Sequence, residues 1–280
     1  MIVDFLRNIA QVRRLEESLG SKVTTLNTLN RFLLLKKFSN GNRRIVHAKI
    51  NGHKVYGYDY KTIDFLYREI FLQHHYKFKE RSTKPVIIDC GSNIGVSVLY
   101  FKIHYPESTI EAFEANPNAF KLLERNIAEN GLSKVNAHNK ALWDEEKELS
   151  FYIDDNLGTL LGSVRKDRGG QKEIKIKSEK LSNVVKKYES IDLLKIDVEG
   201  AEKKLIADLN QNGLIEKAWK YIIEYHHNIE DDRSKLSEFL GIFESRGYNY
   251  IIKESYTAPD NFQDLLLYIY KPEAVLEGTI

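Results

Sequence analysis

Residues 86 to 95 read VIIDCGSNIG: an apolar run ends in Asp89, then Gly91 and Gly95 stand at the head of a new amphipathic segment. A buried strand feeding a glycine turn and a helix lets backbone approach a nucleotide-like ligand closely. The spacing separates two classes of ligand. A dinucleotide fingerprint is G-x-G-x-x-G; here the place of its first glycine is held by Asp89, and the pattern is Asp-x-Gly-x-x-x-Gly. A carboxylate beside the turn repels a pyrophosphate but suits a ligand carrying an ammonium and a sulfonium. The expected cofactor is therefore S-adenosyl-L-methionine rather than NAD, with Gly91, Asn93 and Gly95 beneath its methionine part and Asp89 facing its ammonium.

Downstream of the motif the periodicity alternates between strand and helix, as a parallel sheet with crossover helices requires. Strands are predicted near 86–90, 109–114, 134–139, 191–196 and 219–225, with helices near 95–104, 117–130, 199–210 and 231–246. The runs YNYIIK (248–253) and DLLLYIY (264–270) have no helix between them and should pair antiparallel. An insertion, roughly 144–180, holds candidate strands at 149–153 and 173–177 around NLGTLLGSVRKDRGG. The reading is an α/β catalytic domain over 85–280, preceded by an extension over 1–84. That extension contains predicted helices at 4–19 and 23–38, a stop at Ser39-Asn40-Gly41-Asn42, and a hairpin about Asn51-Gly52, whose residues take positive φ cheaply. A helix over 61–73 completes it.

Composition is that of a folded chain, 42% hydrophobic and 29% charged in 280 residues. No apolar run reaches the ~18 residues that span a bilayer, and the amino terminus lacks the pattern of a secretory signal, so a cytoplasmic location is expected. The single cysteine, Cys90, permits no internal disulfide and reads as a small buried residue at a strand end. Charge is uneven. Residues 1–84 hold 17 Lys or Arg against 7 Asp or Glu, a net +10, which leaves −8 on the remainder. Such asymmetry suits an anionic substrate, a phosphorylated carrier or a membrane surface, or simply a solvated helical face.

Ligands of an open α/β sheet bind beyond the carboxyl ends of its strands, so the strand tips are compared. The second strand ends in Phe113-Glu114-Ala115-Asn116-Pro117. An acid there, about 20 residues past a glycine turn, accepts hydrogen bonds from ribose hydroxyls, which assigns Glu114 to the cofactor with Asn116 beside it. The third strand runs into His138-Asn139-Lys140-Ala141-Leu142-Trp143, where adenine would lie: backbone there could read the ring edge while Ala141 and Leu142 pack on its face, with Asn139 also assigned to the cofactor. The fourth, in IDLLKIDVEGAE (191–202), places Lys195 and Asp197 on one face of an apolar run, and a buried charge is costly unless paired or functional. Helix capping accounts for Glu199 and Glu202. The fifth strand ends in Glu224-Tyr225-His226-His227-Asn228, with Glu224 and His226 on one side. If the fourth and fifth strands are neighbours, Asp197, Glu224 and His226 converge as a base or a metal site.

Together VIIDCGSNIG, FEANP, IDLLKIDVEGAE and IIEYHHN resemble the FkbM family of S-adenosylmethionine-dependent methyltransferases over roughly residues 45–270. The resemblance implies the class I methyltransferase fold, a seven-stranded Rossmann-like sheet with one antiparallel strand, and O-methylation of hydroxyls on sugars, glycans or polyketides. The expected roles follow. Asp197 and His226 flank the acceptor hydroxyl, Glu199 or Glu224 orients the sugar or His226, and Asp197 also borders the cofactor. No metal ligand is assigned, although a divalent ion stays open. A nucleic-acid methyltransferase is the second reading, opposed by the acidic catalytic part, which would repel phosphates. A non-catalytic scaffold is the third. The leading helices could form a dimer surface, a lid or a peripheral membrane contact.

Overall fold

The apolar run of the glycine motif is hydrogen-bonded to a strand on each side, and its alternate side chains are buried in a separate core on each face of the sheet. In the computed structural model, which describes residues 2–15, 18–38, 45–153, 162–164, 166, 170–227, 235–254 and 263–272, helices α1 (Ile2–Arg13) and α2 (Leu19–Phe38) precede a hairpin of β1 (Val46–Ile50) and β2 (His53–Gly57). Helix α3 (Tyr60–Leu66) then runs directly into a π-helical turn, Tyr67–Leu72. Strands β3 (Val86–Cys90), β4 (Thr109–Phe113) and β5 (Val135–His138) alternate with α4 (Val96–His104) and α5 (Pro117–Glu129). A second sheet follows, built from β6 (Ala141–Trp143), β7 (Glu148–Ile153), β8 (Gly162–Ser163) and β9 (Lys172–Lys180). The chain then returns to the first sheet with β10 (Ile191–Ile196), β11 (Ala218–His227), β12 (Asn249–Glu254) and β13 (Gln263–Tyr270).

The seven strands of the main sheet lie in the order β12-β13-β11-β10-β3-β4-β5, and β13 alone runs against the others. Consecutive strands leave β3 toward β5 on one side and pass through β10 to β11 on the other. The crevice therefore opens between the tips of β3 and β10. Alternate side chains fill two cores. Ile87, Leu193 and Ile222 join a cluster that includes Leu29, Phe32, Ile63 and Tyr67 of the amino-terminal region. On the other face Ile88, Leu194 and Ile196 pack with Leu205, Leu209 and Phe243, from the helices Glu202–Gln211 and Leu236–Glu244.

Several boundaries differ from the sequence reading for local reasons. The break expected after residue 19 falls earlier, because Ser18 Oγ accepts the Ser21 N–H at 3.3 Å and starts α2. The helix expected over 61–73 divides at Tyr67, where the π-helical turn begins. The helix expected from 199 starts at Glu202, since Glu199 and Gly200 adopt φ of 54° and 104°, outside the helical region. Residues 141–143, read as following the third strand, instead pair with β9 in the second sheet. The hairpin has its turn where expected, Asn51 and Gly52 at φ 47° and 88°. The stop at 39–42, most of the glycine-rich stretch 156–170, and the first part of the helix expected over 231–246 lie outside the described residues.

Gly91 is fixed by close approach rather than by flexibility. Its φ is +87°, and a Cβ there would lie 1.8 Å from the Asp197 carbonyl oxygen. We expect Gly91→Ala to destabilise the fold by at least about 3 kcal/mol, since it combines backbone strain with a backbone clash; urea denaturation measures it.

Candidate active site

A cavity of about 280 Å³ occupies the crevice at the strand tips. Gly91 and Asn93 of the β3 loop form one wall, Glu114 a second, and Asp197, Glu224 and His226 of the β10 and β11 tips a third. Ala141, Phe151 and Gly162 of the second sheet close it on one side. Leu66, Glu69 and Tyr76 of the amino-terminal region close it on another.

The β3 loop is held by backbone and by one buried cation. The Gly91 and Ser92 N–H groups both donate to the Phe113 carbonyl at 2.9 Å, tying the loop to β4. Lys195, 2% exposed, donates to the Gly91 carbonyl at 2.7 Å and lies 3.2 Å from Asp89 and 3.4 Å from Asp197. Burial alone would lower the pKa of its ammonium; the carboxylates around it carry that pKa well above the ordinary lysine value. Asp89 is fully buried and also accepts from Ser97 Oγ at 2.6 Å. This corrects the expectation that Asp89 meets the cofactor ammonium: it is spent on Lys195 beneath the cavity floor, and the carboxylate at the floor is Asp197.

Glu114 stands at the tip of β4, where it accepts the Asn93 N–H at 2.8 Å and the Asn116 N–H at 2.7 Å. Burial raises its pKa to about 7 despite those two donors. Asn116 caps α5 by accepting the Asn118 N–H at 3.0 Å, and Asn139 donates to the Glu114 carbonyl at 2.8 Å. Neither carboxamide is among the cavity-lining groups, so the structure places both behind the wall rather than against a ligand. Gly95, at φ +86°, packs on Leu123 and opens α4, likewise off the cavity. Ala141 does line it.

His226 is the most constrained member of the third wall. Its Nδ1 lies 2.8 Å from Glu202, and its Nε2 lies 3.3 Å from Glu199 and 3.8 Å from Asp264. Burial disfavours the charged ring, but Glu202 and Glu199 overrule it and hold the pKa well above the usual histidine value. These two carboxylates favour the charged form of the ring, and His226 lines the cavity beside Asp197 and Glu224. Asp197 is raised by burial, Lys195 opposing. Glu224 is raised further, first by the charge of Asp197 and then by burial. Two sets of three side chains, Asp197, Glu199 and His226, and Glu224, His226 and Asp264, each bring ligand atoms within 4.8 Å of one another. With the imidazole deprotonated, either set could take a divalent cation.

Four contributors escaped the sequence reading of the site. Glu202, read as a helix cap, does accept the Gly200 N–H at 2.9 Å, but it is buried and fixes His226. Asp264 reaches the site because β13 sets it opposite His226, which the antiparallel run DLLLYIY foreshadowed. Glu69 and Tyr76 arrive from the amino-terminal region. Burial, reinforced by Asp197, lifts Glu69 to about 7.

The strand order with one reversed strand, and the acid-rimmed cavity at its switch point, define a class I methyltransferase. Residues 89–250 match the family model described as the methyltransferase FkbM domain. Methyltransferase sdnD of Sordaria araneosa is 31% identical over 229 residues, covering 71% of this chain and 86% of that protein. The 31-O-demethyl-FK506 methyltransferase FkbM of Streptomyces tacrolimicus is 25% identical over 239 residues, covering 73% and 88%. Among solved structures, M. jannaschii TYW2 in complex with AdoMet gives a TM-score of 0.45 at 13% identity over 83% of this chain and 89% of that one. The chain belongs to the FkbM methyltransferase domain family and is an S-adenosylmethionine-dependent methyltransferase.

Because Glu114 has a raised pKa in the folded state, its burial costs less while it is protonated than when it is ionised. Between about pH 4.5 and 7 the unfolded chain ionises it more readily, so its contribution to stability falls as pH rises. Glu114→Gln removes this dependence. Relative to the wild type, the variant should gain stability from about pH 5 to about pH 8, read as the difference between paired urea denaturation curves.

Proposed function

We propose that the enzyme transfers the cofactor's methyl group to a hydroxyl of a sugar, a glycan or a related natural product. The observation that carries this reading is the division of the cavity. A carboxylate at the β4 tip suits ribose hydroxyls, while Glu224 and His226 of the β11 tip suit a hydroxylated acceptor, with Asp197 bordering cofactor and acceptor alike. The Streptomyces relative is a 31-O-demethyl-FK506 methyltransferase, which agrees with oxygen as the nucleophile.

Asp197, at the end of β10 beside the Gly91 loop and neutralised by Lys195, receives the cofactor ammonium. Glu114 receives the ribose. When S-adenosylmethionine is bound it supplies an electrophilic methyl on a sulfonium. Alignment of oxygen, carbon and sulfur by such walls is worth ~7 to 11 kcal/mol, whereas a positioned base adds about 10² to 10⁴ in rate. Glu224, which lines the cavity beside Asp197 and His226, takes the hydroxyl proton in its ionised form. His226 offsets the neighbouring carboxylates and, fixed by Glu202, orients Glu199.

Glu114→Ala should weaken S-adenosylmethionine binding by about 10- to 100-fold, the loss of charge-assisted hydrogen bonds, as read by calorimetry. Glu224→Gln should leave that affinity within about threefold and lower turnover by about 10² to 10⁴ with labelled cofactor and a panel of glycans and polyhydroxylated natural products. Turnover by Glu224→Gln at the wild-type rate would remove Glu224 from proton transfer. Dialysis against EDTA should leave turnover unchanged if His226 is taken up by Glu199 and Glu202 as described; loss restored by Mg²⁺ or Mn²⁺ would place a cation in one of the two ligand sets instead.

A further inference from the structure

Helix α1 packs on the protein through a narrow seam in which Asn8 and Val12 are the buried residues. Its most buried side chain is Asn8, 1% exposed, which donates to Asn30 at 3.1 Å and accepts from Arg68 at 2.9 Å. Gln11, one turn on, accepts from the same guanidinium at 2.9 Å. Arg68 and Lys36 in turn pair with the buried Asp64, so a polar network fastens α1 and α2 to α3. Apart from Val12, which joins the core beside Leu29 and Phe32, the large apolar residues at the start of α1 stay uncovered, with Ile2, Val3, Phe5 and Leu6 exposed by 75, 66, 43 and 58%. A helix settled by a protein core alone covers most of its apolar side chains. Eight of the eleven large apolar side chains exposed among the described residues lie on α1 and α2.

The charges on the same two helices are one-sided. Arg7, Arg13, Arg14, Arg31 and Lys37 are exposed, while Asp4 is the acid among their described residues and sits 3.8 Å from Arg7. Apolar side chains set among cations, on a helix lying along the molecular surface, are what the headgroup layer of an anionic bilayer accepts: the apolar groups enter the acyl boundary and the cations meet phosphates. We propose that α1, with the exposed flank of α2, seats the enzyme on an anionic membrane surface. A second copy of the chain is a poorer occupant, because a twofold contact would set this basic surface against itself. No described helix is long and apolar enough to cross a membrane, so the contact is peripheral.

Co-sedimentation of the full chain with phosphatidylcholine vesicles, with and without phosphatidylglycerol, tests this. We expect the protein to pellet with the anionic vesicles only, and less as salt is raised. Phe5→Ser combined with Leu6→Ser should lower the partitioning at least about tenfold while melting temperature and S-adenosylmethionine affinity stay at wild-type values, since both side chains are exposed and far in sequence from the cavity walls. Arg13→Glu combined with Arg14→Glu should abolish the preference for phosphatidylglycerol. Failure to pellet with either vesicle would overturn the proposal, as would pelleting equally with both. A wild-type dimer in sedimentation equilibrium that the Phe5/Leu6 variant dissociates would overturn it in favour of self-association.

Discussion

One ammonium group organises the rim of this sheet. Lys195 is almost wholly buried in the middle of a parallel sheet, where an unpaired cation would be prohibitive. It is tolerable because Asp89, Asp197 and the Gly91 carbonyl all face it. Those partners sit on adjacent strands, β3 and β10, at the point where the chain changes direction across the sheet. The same contact that neutralises the lysine therefore fixes the distance between the glycine loop and the β10 tip. Gly91 follows from this, because only a residue without a side chain fits under the Asp197 carbonyl.

From that fixed floor the carboxylates acquire different characters through their neighbours. Asp89 faces Lys195 from below. Glu114 is dried by its surroundings and held by two backbone donors. Glu224 meets the charge of Asp197 with no lysine between them, and its affinity for a proton rises accordingly. Methyl transfer from a sulfonium asks for this kind of gradation: an anionic grip on the cofactor at one end and a proton acceptor at the other.

The sheet was legible because its strands alternate with helices and its tips carry charge in apolar runs; VIIDCGSNIG and IDLLKIDVEGAE alone place β3, β10 and the turn between cofactor classes. The convergence of Asp197, Glu224 and His226 followed from adjacency of the fourth and fifth strands, which the topology supplies. What the sequence did not disclose was which charges are consumed internally. Asp89 and Asp197 both end apolar strands, and only the position of the Lys195 side chain separates a structural carboxylate from one at the cavity floor. The pairing of His226 was hidden for the same reason, since Glu202 looks like a helix cap until its contact with the ring is seen. Glu69 was out of reach because a π-helical turn shifts the register of side chains that a 3.6-residue period would assign.

The second sheet touches the catalytic rim at few points. Phe151 and Gly162 face the cavity, and Ser163 donates to the carbonyl of Glu199, the residue at positive φ beside the acidic cluster, at 2.8 Å. None of these contacts involves Lys195 or Glu114. A shift of that sheet is therefore transmitted to the backbone at Glu199 through a single hydroxyl, which makes Ser163 the joint between the two sheets at this edge of the cavity.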